Sequence, residues 1–214
     1  MDHEASCVLY GYDGSGSAAV EAALELAGQP YRRVDAATWD EASALEELRG
    51  VNRLQQIPAL RWPDGSVMSE SAAILAELGL RHPDSGLLPQ APAARAQSLR
   101  GLVYIVANCY AAIGIIDYPE RWCSPAEPAH CDALKAGARQ RLHALWEVFA
   151  NSFEATPWLA GGQLGALDLL AAVVSKWSGA RAHLATHRPA FAALMQRVDA
   201  HPVVAPVFAR HWPG

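Results

Sequence analysis

The chain has 214 residues, 51% of them hydrophobic and 18% charged, which is enough apolar material for a packed core and excludes a disordered segment. A formal net charge of −5, with no run of lysine or arginine, excludes a nucleic-acid surface. Four scattered cysteines, Cys7, Cys109, Cys123 and Cys131, make neither a CxxC pair nor a disulfide framework.

In chain order, the opening MDHEASC is acidic and lacks the basic and apolar regions of a signal peptide. Residues 6–12 read as a strand. Residues 17–27 read as a helix, stopped by Gly28 and Pro30. Residues 31–34 read as a second short strand and 40–49 as a weaker helix. The stretch 54–80 then organises the chain. Asp64-Gly65 is a two-residue hairpin signal between short β-like runs, and a hairpin forces an antiparallel pair, so the sheet is mixed. The bond before Pro58 is a candidate for the cis isomer. At the start of an edge strand it leaves the Ile57 N–H and C=O facing outward, free to pair with an extended ligand. Ser69-Glu70-Ser71 opens a helix, where backbone N–H groups, a hydroxyl and a carboxylate suit a small zwitterionic peptide.

Residues 82–92 hold Pro83, Gly86, Pro89 and Pro92 and read as a linker. Beyond them nearly everything reads as helix. Residues 93–116 carry apolar side chains at helical spacing. Their most apolar part, 102–116, is interrupted by Asn108 and is expected to be too short to span a bilayer. Helices follow at 130–153, 167–177, 189–201 and 203–211, the second almost wholly apolar and so expected to be buried on every side.

These blocks resemble the glutathione S-transferase family. The resemblance rests on NRLQQIPAL at residues 52–60, on Asp64-Gly65, on Met68-Ser69-Glu70-Ser71 running into a helix, and on PWLAGGQLGALDLLAAVVSKW at 157–177. The tail from His187 to Val203 also follows a pattern common in bacterial members. What the resemblance implies is an α/β thioredoxin-like N-terminal domain with a mixed sheet at 1–82, a linker at 83–92, and an all-α C-terminal domain at 93–214 that supplies an electrophile site. It implies conjugation of the glutathione thiol to a hydrophobic electrophile, with glutathione as substrate and no permanently bound cofactor. A cytoplasmic homodimer is expected, with no membrane, nucleic-acid or metal partner.

By the same resemblance Ile57, after which Pro58 follows, pairs its backbone with the cysteinyl part of glutathione. Glu70 and Ser71 hold the γ-glutamyl end, and Gln56 lies near the glycyl end. Ser71 or Ser69 as a plain helix cap, and Glu70 as a first-turn acid, are the alternatives. For thiol activation, Ser15-Gly16 is similar to the start seen in serine-type members. Tyr10 is the alternative, because it falls where tyrosine-type members carry their hydroxyl. Ser17 is read as the helix N-cap. Tyr104, Asn108 and Tyr110 are candidates for the electrophile pocket, while Trp146, Trp158 and Trp177 are assigned to packing. Asp168, three residues after Gly165, is read as half of a capping box and as a folding residue.

Three departures from the family pattern stand out. Arg53 and Gln55 replace a usual Pro and Gly, the loop lacks a basic residue, and Gly165 replaces Ser or Thr. They keep open a non-catalytic glutathione-binding or partner-regulating protein on the same scaffold. Gly14-Ser15-Gly16-Ser17-Ala18-Ala19 also matches G-x-G-x-x-A, the mark of a dinucleotide-binding oxidoreductase. The hairpin and helical half that follow do not suit that fold.

Overall fold

The computed structural model describes residues 6–155, 157–159 and 161–213; of the acidic start, only Ser6 and Cys7 lie among them. The first half alternates β1 (Cys7–Gly11), α1 (Ser17–Ala27), β2 (Tyr31–Asp35), α2 (Leu45–Val51), β3 (Ala59–Arg61), β4 (Val67–Ser69) and α3 (Ser71–Arg81). The four strands form one sheet in the order β2-β1-β3-β4. β1 pairs with β2 in parallel, across the α1 crossover that such a pair requires, and with β3 antiparallel. β3 and β4 are the two arms of the hairpin, which turns at Gly65 with φ 85°. The Ile57–Pro58 bond is cis.

Alternation along β1 sorts its side chains. Cys7 and Leu9 enter the main core with Leu24, Leu75 and Leu78. Val8 and Tyr10 point to the opposite face, into a small cluster with Ala36, Leu48 and Ala59. The helix expected at 40–49 begins instead at Leu45. Asp40 and Ser43 spend their side chains on the loop: Ala42 N–H donates to Asp40 Oδ1 at 3.0 Å, and the Ser43 hydroxyl contacts the Asp40 carbonyl at 2.5 Å. Such local bonds compete with helix formation.

The stretch read as a linker contains one 3-10 turn, Pro83–Ser85, and is docked rather than loose. Leu87 and Leu88 are buried, and the Leu87 carbonyl accepts the Ala166 N–H at 2.9 Å. The helical half comprises α4 (Pro92–Tyr104), a π-helical segment (Ile105–Tyr110), α5 (Ala111–Asp117), α6 (Pro128–Ser152), α7 (Ala166–Val174), α8 (Ala180–His187), α9 (Pro189–Asp199) and α10 (Val204–His211). Every residue of α7 is buried, as its run of apolar residues broken only by Asp168 dictates. α8 has no counterpart among the expected helices; its mixed ARAHLATH lacks an apolar stripe.

α4, the π segment and α5 run on as one helix of 26 residues with a window of mean hydropathy 1.7, long and apolar enough to cross a membrane by length and composition. The stretch 102–116 lies within this longer helix. Asn108 does not end the helix, because its Nδ2 donates to the Tyr104 carbonyl at 3.0 Å. In the fold this helix packs against α6 and α7, with Leu102, Ile105, Cys109 and Ile113 buried.

One core runs through both halves, from Leu9 and Leu24 to Trp146 and Leu170. A buried polar knot joins α1 to α10. The Glu21 carboxylate, 4% exposed, takes His211 Nε2 at 2.7 Å and Arg210 at 2.6 Å, and the Tyr31 hydroxyl donates to it at 3.1 Å. At α7, Asp168 accepts from the Gly165 N–H at 3.0 Å and the Leu159 N–H at 2.8 Å, so it reaches back to the helix start as expected of a folding residue.

Candidate functional site

A cleft of about 1040 Å³ lies between the sheet half and the helical half. The sheet half supplies the loop Gly14–Gly16, the segment Gln56–Pro58, and Glu70 with Ser71. Chain geometry brings them together: the first two flank the ends of the neighbouring strands β1 and β3, and the third opens α3 directly after β4.

The second and third pieces present unspent polar groups. The Ile57 N–H and C=O form no hydrogen bond with a described residue. The approach to Ile57 is braced by buried Asn52, whose Nδ2 donates to the Gln56 carbonyl at 2.8 Å and whose Oδ1 accepts the Leu54 N–H at 3.1 Å. Asn52 was missed as a site residue, although an Asn four residues before the Gln-Ile-Pro step was a readable turn signal. Glu70 has φ 69° and ψ 108°, a left-handed conformation disfavoured for a side chain with a Cβ, and such outliers gather at ligand sites. It is the residue before the first turn of α3 and caps nothing with its side chain. Its carboxylate makes no hydrogen bond or ion pair with a described residue. Ser71 is 6% exposed, and its hydroxyl likewise has no hydrogen-bond partner among the described residues. Neither Ser69 nor Ser71 acts as the cap.

The loop before α1 is self-contained. Ser15 Oγ lies 2.7 Å from the Tyr12 carbonyl and 2.8 Å from Ser17 Oγ, and accepts the Ser17 N–H at 3.2 Å. Ser17 is the first residue of α1 and not its N-cap, which is Gly16; its hydroxyl instead accepts the Tyr12 N–H at 3.2 Å. That corrects the capping role expected of Ser17. Gly11 makes room for this, since a Cβ there would overlap the Ser17 side chain.

Tyr10 is far from this arrangement in orientation. Its ring is turned to the other sheet face and its hydroxyl donates to Glu47 at 2.6 Å; it does not line the cleft. Burial and the Glu47 bond push its pKa up to about 12. Tyr104 and Asn108 do not line the cleft either. The Tyr104 hydroxyl donates to the Leu145 carbonyl at 2.9 Å, so both residues serve helix packing.

From the helical half the wall is apolar and aromatic: Val106, Tyr110, Ile113, Tyr118, Trp122 and Trp177. Arg121 stacks on Tyr118 at 3.9 Å, and Asp117 lies alongside. Trp177, expected to be a packing residue, lines the cleft, and its Nε1 donates across the halves to the Gly14 carbonyl at 3.2 Å. Thr38 and Trp39 lie at the cleft from the β2–α2 loop, where Trp39 meets Tyr12 edge-on at 5.8 Å. Nothing local in the sequence separates these aromatics from core residues.

Comparison with known proteins follows the same division. A profile for the glutathione S-transferase N-terminal domain matches residues 17–81. The Escherichia coli (strain K12) protein named "Uncharacterized GST-like protein YncG" is 34% identical over 171 residues, covering 79% of this chain and 80% of its own. The chain belongs to the glutathione S-transferase family. Among solved structures, a glutathione transferase homologue from Sulfitobacter, with bound glutathione, is similar with a TM-score of 0.82 and 25% identity, over 95% of this chain and 97% of that one. A glutathione transferase from Methylococcus capsulatus gives a TM-score of 0.77 and 26% identity over 96% and 98%. As a glutathione S-transferase family member the chain has the thioredoxin-like first half and helical second half of that fold, and the dinucleotide-binding reading falls with the antiparallel hairpin.

Proposed function

We propose that this family member binds glutathione and transfers its thiol to a hydrophobic electrophile. One observation carries the reading: the Ile57 backbone, Glu70 and Ser71, all unpaired among the described residues, share a single cleft with an aromatic wall. In this reading residues 1–82 form the glutathione-binding domain, 83–92 the linker and 93–214 the electrophile-site domain. The cysteinyl part of glutathione pairs with Ile57, beside Pro58. The γ-glutamyl ammonium meets Glu70, its carboxylate meets the Ser71 hydroxyl and the N-terminus of α3, and Gln56 faces the glycyl end. The thiol then lies over the start of α1, beside Ser15, where the helix dipole favours a thiolate.

The free cysteines and acidic surface support a cytoplasmic setting. Exposed Val67, Leu80 and Val103 on β4, α3 and α4 support a homodimer. Calorimetry with glutathione, followed by a conjugation assay with an aryl halide, tests the function. Binding without turnover across a panel of electrophiles would assign the chain to the non-catalytic alternative. Absence of glutathione binding would reject both.

A further inference from the structure

Within that glutathione reading, the identity of the hydroxyl that meets the thiol is decided by proton bookkeeping in the loop before α1. Ser15 and Ser17 have one hydroxyl proton each. The shortest contacts use both: Ser15 donates to the Tyr12 carbonyl at 2.7 Å and Ser17 to Ser15 at 2.8 Å. Ser15 Oγ also accepts the Ser17 N–H. A hydroxyl so occupied organises the loop and would have to give up the Tyr12 carbonyl before donating to a sulfur.

Tyr110 is placed differently. It is the last residue of the π-helical segment, a widened turn of a kind that recurs at functional sites. Its ring packs edge-on against Trp177 at 5.4 Å, and Trp177 is itself tied to Gly14. The hydroxyl is thereby held against Gly16, so closely that a Cβ on Gly16 would overlap it; Pro58 Cδ lies 3.7 Å from the same point. The Tyr110 hydroxyl, the start of α1 and the Ile57–Pro58 step therefore meet at one spot in the cleft. That hydroxyl makes no hydrogen bond to any described residue.

We propose that Tyr110, from the helical half, is the hydroxyl that donates a hydrogen bond to the glutathione sulfur, with Ser15 shaping the loop beneath it. The geometry is that of a donor rather than a base. Burial first, then the carboxylates of Asp117 and Glu70, keep the phenol protonated well above its ordinary range. A neutral donor at an α-helix start stabilises the thiolate without taking its proton, which leaves to solvent. Glycine at position 16 follows from this role, since its backbone φ of −62° suits any residue and only the Tyr110 hydroxyl requires the missing Cβ.

The test is the pH titration of the bound glutathione thiolate by its ultraviolet absorbance, together with calorimetric affinity, in the full chain. Tyr110→Phe removes one oxygen and keeps the ring. It is expected to raise the pKa of the bound thiol by about one unit, and so to lower turnover below that pKa about tenfold. Measured at or below the wild-type pKa of the bound thiol, glutathione affinity should change by no more than about twofold. Gly16→Ala, which displaces the hydroxyl while leaving Tyr110 in place, should shift the titration in the same direction, and Ser15→Ala should shift it less than either. An unmoved titration in Tyr110→Phe, or a larger shift in Ser15→Ala, overturns the assignment while leaving glutathione binding intact. Failure of the wild-type chain to bind glutathione overturns the functional reading itself, and this inference with it.

Discussion

Replacing Glu21 by glutamine should loosen the joint between the first helix and the last. The carboxylate is almost fully buried on α1, and it receives His211 at 2.7 Å and Arg210 at 2.6 Å from α10. Burial by itself raises a carboxyl pKa. Here the hydrogen bonds and charges of His211 and Arg210 outweigh it and hold Glu21 well below its ordinary 4.5, at about 2. A folded-state value below the unfolded one means that folding favours the ionised form. The contribution is complete above the unfolded value, fades as pH falls through the window between the two, and is gone below about 2. Across that window the shift corresponds to about 3 kcal/mol. Glutamine keeps the volume and can still accept from His211, but it has no charge to lose. Urea unfolding near neutral pH should therefore find Glu21→Gln about 3 kcal/mol less stable than wild type. The gap should narrow steadily as the buffer is taken down toward pH 2, through loss of stability in the wild type. A gap that stays constant with pH, or one smaller than about 0.5 kcal/mol at neutrality, would refute the account of Glu21 as a charged lock.

Asp168→Ala strips the acceptor from the Gly165 and Leu159 N–H groups and should cost about 3 kcal/mol in urea unfolding, with Asp168→Asn losing less. Gly101→Ala puts a methyl against Leu167 and Phe153 at the α4–α7 crossing, where the Cβ would lie 2.6 Å from a Leu167 carbon; a loss of about 1–3 kcal/mol is expected, read as a lower melting temperature. Glu70→Ala should weaken glutathione binding by roughly tenfold to a hundredfold in calorimetry, the worth of a charge-assisted bond to the ligand ammonium; unchanged affinity would reject that contact. The half-buried Cys123 and Cys131 thiols lie 3.7 Å apart, so a dithiol oxidant such as diamide should protect these two from alkylation ahead of buried Cys7 and Cys109.

The sequence by itself determined those parts of the molecule whose signals are local. The Asp64-Gly65 turn, the α1 run ended by Gly28, the apolar α7 and the Asp168 reach-back each depend on residues within a few positions of one another, and so does the meeting of Ile57 with Glu70 and Ser71 through one short hairpin. The tertiary structure decided what depends on distant segments. Tyr10 and Leu9 are neighbours in one strand and both fully buried, and only the packing of the sheet shows which face each takes. Tyr104 and Tyr110 lie on one helix six positions apart; the first ends on the Leu145 carbonyl and the second on the start of α1. Trp177 reads as core in its apolar run, yet its indole nitrogen reaches Gly14 across 163 positions. Glu21 takes its partners Arg210 and His211 from α10, at the far end of the chain. In each case the deciding partner lies far along the chain, where no spacing rule reaches, and packing between the two halves alone selects it.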